Sequence, residues 1–391
     1  MNFENKPNKE ESVQLLNDLV ARQTTLAPRK VDKSIVLYGA GDLGQMAKKY
    51  FEKIGVKVEF IVDIRADIWR EKECWKGAQV LFPEEVSVEQ KNTHLLAVCI
   101  VKIPYIPLID NLSNNGWRDI VPFYDIAEAY REYHPLSNGW FANLIDSADI
   151  LKISSVLNMW SDDISRAHHL QFIAWRLLRE EWVFENADIN TENRFFIPEV
   201  VDLLSDHESF ADIGAHHGKV TKKFIETVSN NFKKIWMVEP DSLNLQILND
   251  YFSQIEQPDK KKIHILPRVV SDKSGTSKFY EGLGYASQLS CLGSTDVDLT
   301  TIDDLDISPT FIKLHLEGDE LAALKGAEKT IFKYRPIIVF TTYHNDDGIW
   351  KLPIWIMRNF TNYQFYMRLH AWCGNGSVLY AIPLHIDISV K

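Results

Sequence analysis

Cysteine is scarce in this chain of 391 residues: Cys74, Cys99, Cys291 and Cys373 stand far apart and form no CxxC pair. That spacing argues against a disulfide frame or a zinc ribbon and fits thiols kept reduced in the cytoplasm. No apolar run approaches the about 18 residues of a membrane span, and the opening MNFENKPNKEES lacks the apolar core of a signal peptide. Positive charge is also short, with 43 Lys and Arg against 54 Asp and Glu and a formal net charge of −11. A general binder of nucleic acid or anionic membrane is not expected. What is present is ordinary globular composition, 45% hydrophobic and 25% charged. The length suits two domains, and a homo-oligomer is compatible with it.

Two strand–turn–helix signals stand out. In the stronger one, Phe210-Ala211-Asp212-Ile213-Gly214-Ala215-His216-His217-Gly218, an apolar strand runs into a glycine turn, and a helix pattern begins at Lys219. Glycine lets backbone approach a ligand, and the helix start presents free N–H groups. Met237-Val238-Glu239 then ends a second strand on an acid 25 positions after Gly214. An acid so placed can accept hydrogen bonds from both hydroxyls of a ribose. An adenosine-containing cofactor is the leading expectation, and Asp before Gly suits S-adenosylmethionine better than NAD.

The other signal is Tyr38-Gly39-Ala40-Gly41-Asp42-Leu43-Gly44, a GxGxxG turn after an apolar strand, with Asp63 closing the next strand. Residues 32–125 read as a small doubly wound sheet. It offers a nucleotide or nucleotide-sugar site, or only tight helix–sheet packing, because no acid or base recurs at its strand ends. Residues 1–31 give one short helix, a cap or an arm. Residues 126–205 read as a tryptophan-rich helical connector in which Ser161 caps a helix.

From Phe210 onward strand alternates with helix, which implies a largely parallel sheet with ligands outside the carboxyl ends of its strands. The third strand, Ile263 to Val270, leads to Ser271 and Asp272, and Asp272 could hold an adenine amine. The fourth leads to Lys313-Leu314-His315-Leu316-Glu317-Gly318, where alternation puts Lys313, His315 and Glu317 on one face. Polar groups on a buried strand are costly unless paired or used. His315 could therefore take a proton from an acceptor hydroxyl. His344 could face His315, and with Glu317 the set could ligate a divalent ion, but the spacing selects no metal and none is assigned. Arg368 and His370 are candidates for an acceptor or solvated edge residues. Tyr285, Tyr343 and Trp372 could stack on a sugar ring or pack a wall.

These pieces carry a resemblance. From about Ser161 to Pro383 the chain resembles the FkbM family of S-adenosylmethionine-dependent methyltransferases, through FADIGAHHG, VEPDSLN, VVSDKSG, TIDDL, IKLHLEGDELAALKGA, RPIIVFTTYH and VLYA. The GAGDLG half is similar to a Rossmann-like domain that precedes some members. The resemblance implies an α/β fold in four parts: an arm over 1–31, a Rossmann-like nucleotide-binding-type domain over 32–130, a connector over 131–205 and a class I methyltransferase domain over 206–391. That last domain should end in an antiparallel edge hairpin. Carried over by position, the cofactor contacts are Asp212, Gly214, His216, Gly218, Glu239, Ser271 and Asp272; the catalytic set, read from the fourth strand end itself, is His315, Glu317 and Lys313. The implied acceptor is a small molecule or glycan, a sugar or natural-product hydroxyl, as in polysaccharide biosynthesis. Two departures remove carboxylates from the acceptor side: His315 stands where the family usually has Asp, and Thr341-Thr342 where an acid is often found. The rival expectations are an NAD(P)- or nucleotide-sugar-binding oxidoreductase using GAGDLG, and a non-catalytic scaffold in glycan assembly.

Overall fold

A computed structural model describes residues 1–136, 139–254 and 259–384. The last residues of the expected C-terminal domain, 385–391, and positions 137–138 of the connector lie outside them. Two sheets, one parallel and one largely parallel, carry the chain. The first has five strands in the order Val80–Leu81, Val58–Val62, Ile35–Tyr38, Leu95–Val98, Ile120–Pro122, all parallel. Its central strands are unbroken apolar runs buried throughout, as expected where helices cover both faces.

The second sheet has seven strands, in the order Ile263–Leu266, Lys234–Val238, Ser209–Ile213, Phe311–Leu314, Ile337–Thr341, Ser377–Pro383, Tyr363–Leu369. The first five run parallel, and Ser377–Pro383 is antiparallel to both its neighbours, which gives the expected edge hairpin. Chain order reverses between Ser209–Ile213 and Phe311–Leu314. A crevice for ligands opens at the carboxyl ends of strands at such a point.

Alternation along these strands divides the core. Ala211, Ile213, Ile312 and Leu314 face one cluster with the connector helix, whereas Phe210 and Phe311 face a second one with Phe224 and Val339. The connector helix Asp163–Leu178 lies on the first face. Its N-cap is Asp162, whose carboxylate accepts from the Ser165 N–H at 2.8 Å. Ser161, expected to be the cap, instead accepts from the Phe365 N–H on the edge strand at 2.9 Å. The N-terminal segment is no loose arm. Helix Lys9–Arg22, opened by an Asn8/Glu11 capping box, buries Leu16 and Leu19 in the core of the connector and the large sheet. Asn2–Phe3 pairs in parallel with Val183–Phe184.

A four-stranded sheet, Val269–Val270, Thr295–Thr300, Gly275–Tyr280, Gln288–Leu289, forms an addition that the sequence did not announce. Pro267 follows Leu266 and cannot donate to a ladder. The expected third strand therefore stops there, and Val269–Val270 pairs with Leu299–Thr300 instead.

Candidate active site

Asp212 and Lys313 are register partners on adjacent strands. The Lys313 ammonium donates to Asp212 Oδ1 at 2.8 Å and to the Gly214 carbonyl at 2.7 Å, and Thr221 donates to the other Asp212 oxygen at 2.7 Å. Both charges are fully buried, at 0% and 2% exposure. Asp212 is thus consumed in holding the turn, and Lys313 is the cation that neutralises it. Gly214 has φ +78°, and a Cβ there would lie 2.1 Å from the His315 carbonyl oxygen. Glycine is required at this position by conformation and by space. Gly218, at φ +74°, would place a Cβ 2.6 Å from the Phe252 ring, so it serves the packing of its helix start.

A cavity of about 340 Å³ opens over this turn, within the range of small-molecule sites. Its wall includes Gly214, Ala215, His216, Glu239, Tyr285 and His315. Glu239 accepts from the His216 N–H at 2.7 Å, from the Asp241 N–H at 3.0 Å and from the Asn244 amide at 3.2 Å. Burial raises its carboxyl above the usual range. The His216 backbone is held at φ +50°, its ring stacks on His217, and burial pushes its imidazole down to about 3. Glu239 and His315 follow strands on either side of Ser209–Ile213, so they flank the glycine turn about 10 Å apart.

At the far end three side chains converge. His315 Nε2 lies 3.1 Å from Glu317 Oε1 and 3.1 Å from His344 Nε2, and His344 Nδ1 lies 3.2 Å from Glu317 Oε2. The Tyr343 hydroxyl is 3.3 Å from the same His315 nitrogen and accepts from Arg194 at 2.7 Å. The strand ends at Leu314, so Glu317 reaches the cluster through a turn at φ +52° and not by strand alternation. Glu320 fixes that turn by accepting from the Leu316 and Gly318 N–H groups, and Thr341 donates to it at 2.6 Å. Glu320, buried at the start of helix Glu320–Lys325, is thus the carboxylate beside Thr341. Burial drives His315 and His344 well below the ordinary imidazole range and raises Glu317 well above that of a carboxylate. Both imidazoles are held neutral.

Of the residues singled out in the sequence, Gly214, His216, Glu239, Lys313, His315 and Glu317 line the cavity. Asp212 and Gly218 lie behind the turn. Ser271 and Asp272 fall just beyond the wall: Arg268, Val269 and Val270 line the cavity, and the chain then turns toward Gly275–Tyr280 with Asp272 exposed. Arg368 and His370 are neither solvated nor at the cavity. Arg368 is buried between Asp162 and Glu199, and His370 between the Asn190 carbonyl and the Tyr380 hydroxyl. Tyr285 does line the cavity, whereas Trp372 packs toward the first sheet. Arg194 and Phe195 were missed. They precede the first strand of the sheet in irregular chain, with Phe195 at φ +70°, and only a hydrophobic run hints at them.

Residues 212–382 match the family model described as Methyltransferase FkbM domain. No curated protein matches the sequence. Among solved structures the chain is similar to the methyltransferase FkbM of Methylobacillus flagellatus KT, at 19% identity and a TM-score of 0.60, over 94% of this chain and 93% of that one. Slighter likenesses are to the precorrin-6y C5,15-methyltransferase of Geobacter metallireducens GS-15 (13% identity, TM-score 0.29, 50% and 93% covered) and to the methyltransferase domain of bacterial CtHen1-CN (11%, 0.29, 46% and 91%). The fold is shared with the first over nearly its whole length. The family match thus lies over residues 212–382, under half of the chain, while the likeness of fold to the first structure extends over nearly all of it.

Proposed function

We propose that the protein uses S-adenosylmethionine to methylate a hydroxyl oxygen of a sugar, glycan or natural product. The observation that supports this most is one continuous cavity running over the Gly214 turn from Glu239 to the His315 cluster. The wall suits the adenosyl group. A carboxylate offers about four acceptor positions, and three N–H groups occupy Glu239, which leaves room for a ribose hydroxyl. The cofactor, when bound, supplies a sulfonium methyl group whose carbon–sulfur bond is exchanged for a carbon–oxygen bond to the acceptor. The chain's own part is positioning and proton removal. Gly214 and Glu239 orient the adenosyl half, and Tyr285 walls it. His315, which faces the cavity, meets the acceptor oxygen, with Glu317 and His344 behind it.

That cluster has two ways to ionise a hydroxyl: an imidazole can take its proton, or an ion held by the three side chains can lower its pKa. Lys313 acts by positioning the turn. Residues 206–391 form the transferring unit in this reading, and residues 32–130 serve as its support. Four unpaired cysteines favour the cytoplasm.

Calorimetry with S-adenosylmethionine and with NAD tests the reading directly. Binding of the first and not the second is expected, and tight binding of NAD alone would overturn it. Labelled-methyl transfer to a panel of glycans and polyols then identifies the acceptor class, and a His315→Ala variant should bind the cofactor but lose transfer.

A further inference from the structure

We infer that His315, His344 and Glu317 form a binding site for a divalent first-row transition ion, a centre that activates the acceptor hydroxyl. The inference rests on the methyltransferase reading for its use, but not for its geometry. One ligand atom from each residue can be chosen so that all three lie within 4.8 Å of one another. The two 3.1 Å separations at His315 Nε2 are those of neighbouring ligands on an ion. Bonds of about 2.0–2.2 Å to nitrogen and oxygen space adjacent ligands about 3.0–3.5 Å apart. The set comes from two strand ends whose loops are already fixed. The Glu317 turn hangs on Glu320, the Asn345 amide donates to the Gly318 carbonyl at 3.0 Å, and buried Arg176 donates to the Tyr343 carbonyl. Ligands so braced need little reorganisation to close on an ion.

Ligand type narrows the ion. Two imidazoles with one carboxylate suit zinc, iron(II), cobalt or nickel, whereas magnesium and calcium prefer all-oxygen shells. Three protein ligands leave positions open, as in catalytic sites, and His315 and Glu317 both line the cavity, so an open position faces it. A hydroxyl oxygen bound there releases its proton to water and keeps the electron pair that attacks the methyl carbon. His315 is then a ligand, and its imidazole takes no proton.

The test uses the full chain purified without chelator. Metal content is measured by mass spectrometry, and the stripped protein is titrated with cobalt(II) and, separately, magnesium while the visible cobalt bands are followed. Stoichiometric binding with tetrahedral or five-coordinate cobalt bands is expected. His344→Ala and Glu317→Gln should each weaken it by at least about 100-fold, beyond the 10–100-fold typical of outer-shell changes. Circular dichroism shows whether each variant folds, and calorimetry shows whether it still binds S-adenosylmethionine. Cobalt affinity equal in wild type and a folded His344→Ala variant would overturn the site, as would binding of magnesium alone. Cofactor binding with no ion refutes the metal centre and leaves the methyltransferase reading standing. Ion binding with no cofactor affinity does the reverse.

Discussion

Lys313 and Asp212 meet at 2.8 Å across adjacent strands, and neither is open to solvent. This pair sets the Gly214 turn, because the same ammonium also holds the Gly214 carbonyl. Removing one partner strands the other charge in the core. Lys313→Met should cost about 3–5 kcal/mol. Urea unfolding measures this, and the double variant Asp212→Asn/Lys313→Met should recover part of the loss. Equal stability of the single variant and the wild type would refute the pairing.

Glu239 is held by three N–H donors in advance of any ligand. Glu239→Ala should weaken S-adenosylhomocysteine binding about 10–100-fold, the equivalent of losing one or two hydrogen bonds to a charged group. Calorimetry reads it. An unchanged affinity would move the ribose away from this residue.

Gly214 touches the His315 carbonyl so closely that a methyl group cannot be added. Gly214→Ala should cost at least about 1–3 kcal/mol for backbone strain alone. It should also abolish transfer even where the protein remains folded. Retained activity in a single-turnover assay would show that the turn has slack that its geometry denies.

Acid should weaken the fold through the connector. His168 and His169 are both buried, and each spends both ring nitrogens on hydrogen bonds: His168 with the Ala187 carbonyl and the Leu369 N–H, His169 with the Ile349 carbonyl and the Trp160 indole. Burial lowers each from 6.5 to about 4. The unfolded chain therefore binds protons that the native state refuses between those values. Stability is complete above about pH 6.5 and falls as pH drops toward 4, by up to about 2 kcal/mol per histidine between pH 7 and 5. Urea titrations at the two pH values check this, and a His168→Gln variant should show a smaller difference.

Much of this was legible in the sequence, for identifiable reasons. Gly214, Glu239 and His315 each follow a buried, mostly apolar run, so the end of the run locates them at the end of a strand. His344 joins His315 because Ile337–Thr341 is the next strand over in the sheet. What could not be read depended on interruptions and on partners distant in sequence. Pro267 diverts Ser271 and Asp272 out of the sheet. Arg194 and Phe195 enter from irregular chain with no period to follow. The small sheet was hidden because strands such as Thr295–Thr300 alternate threonine and aspartate with few apolar residues. Arg368 looked like an edge cation, and only the fold brings Asp162 and Glu199 to it.

The short segment Gly284–Ala286 supplies Tyr285 to the cavity wall, yet Leu283 and Ala286 sit in the hydrophobic core of the five-stranded sheet. Tyr280 nearby lies against the His134 ring and under the Lys53 ammonium. The border of the family match at residue 212 is therefore not a seam along which the protein divides. Trimming the chain to its recognisable methyltransferase portion would leave one side of the pocket without its foundation, and grafting that portion onto another carrier would require the first sheet to travel with it.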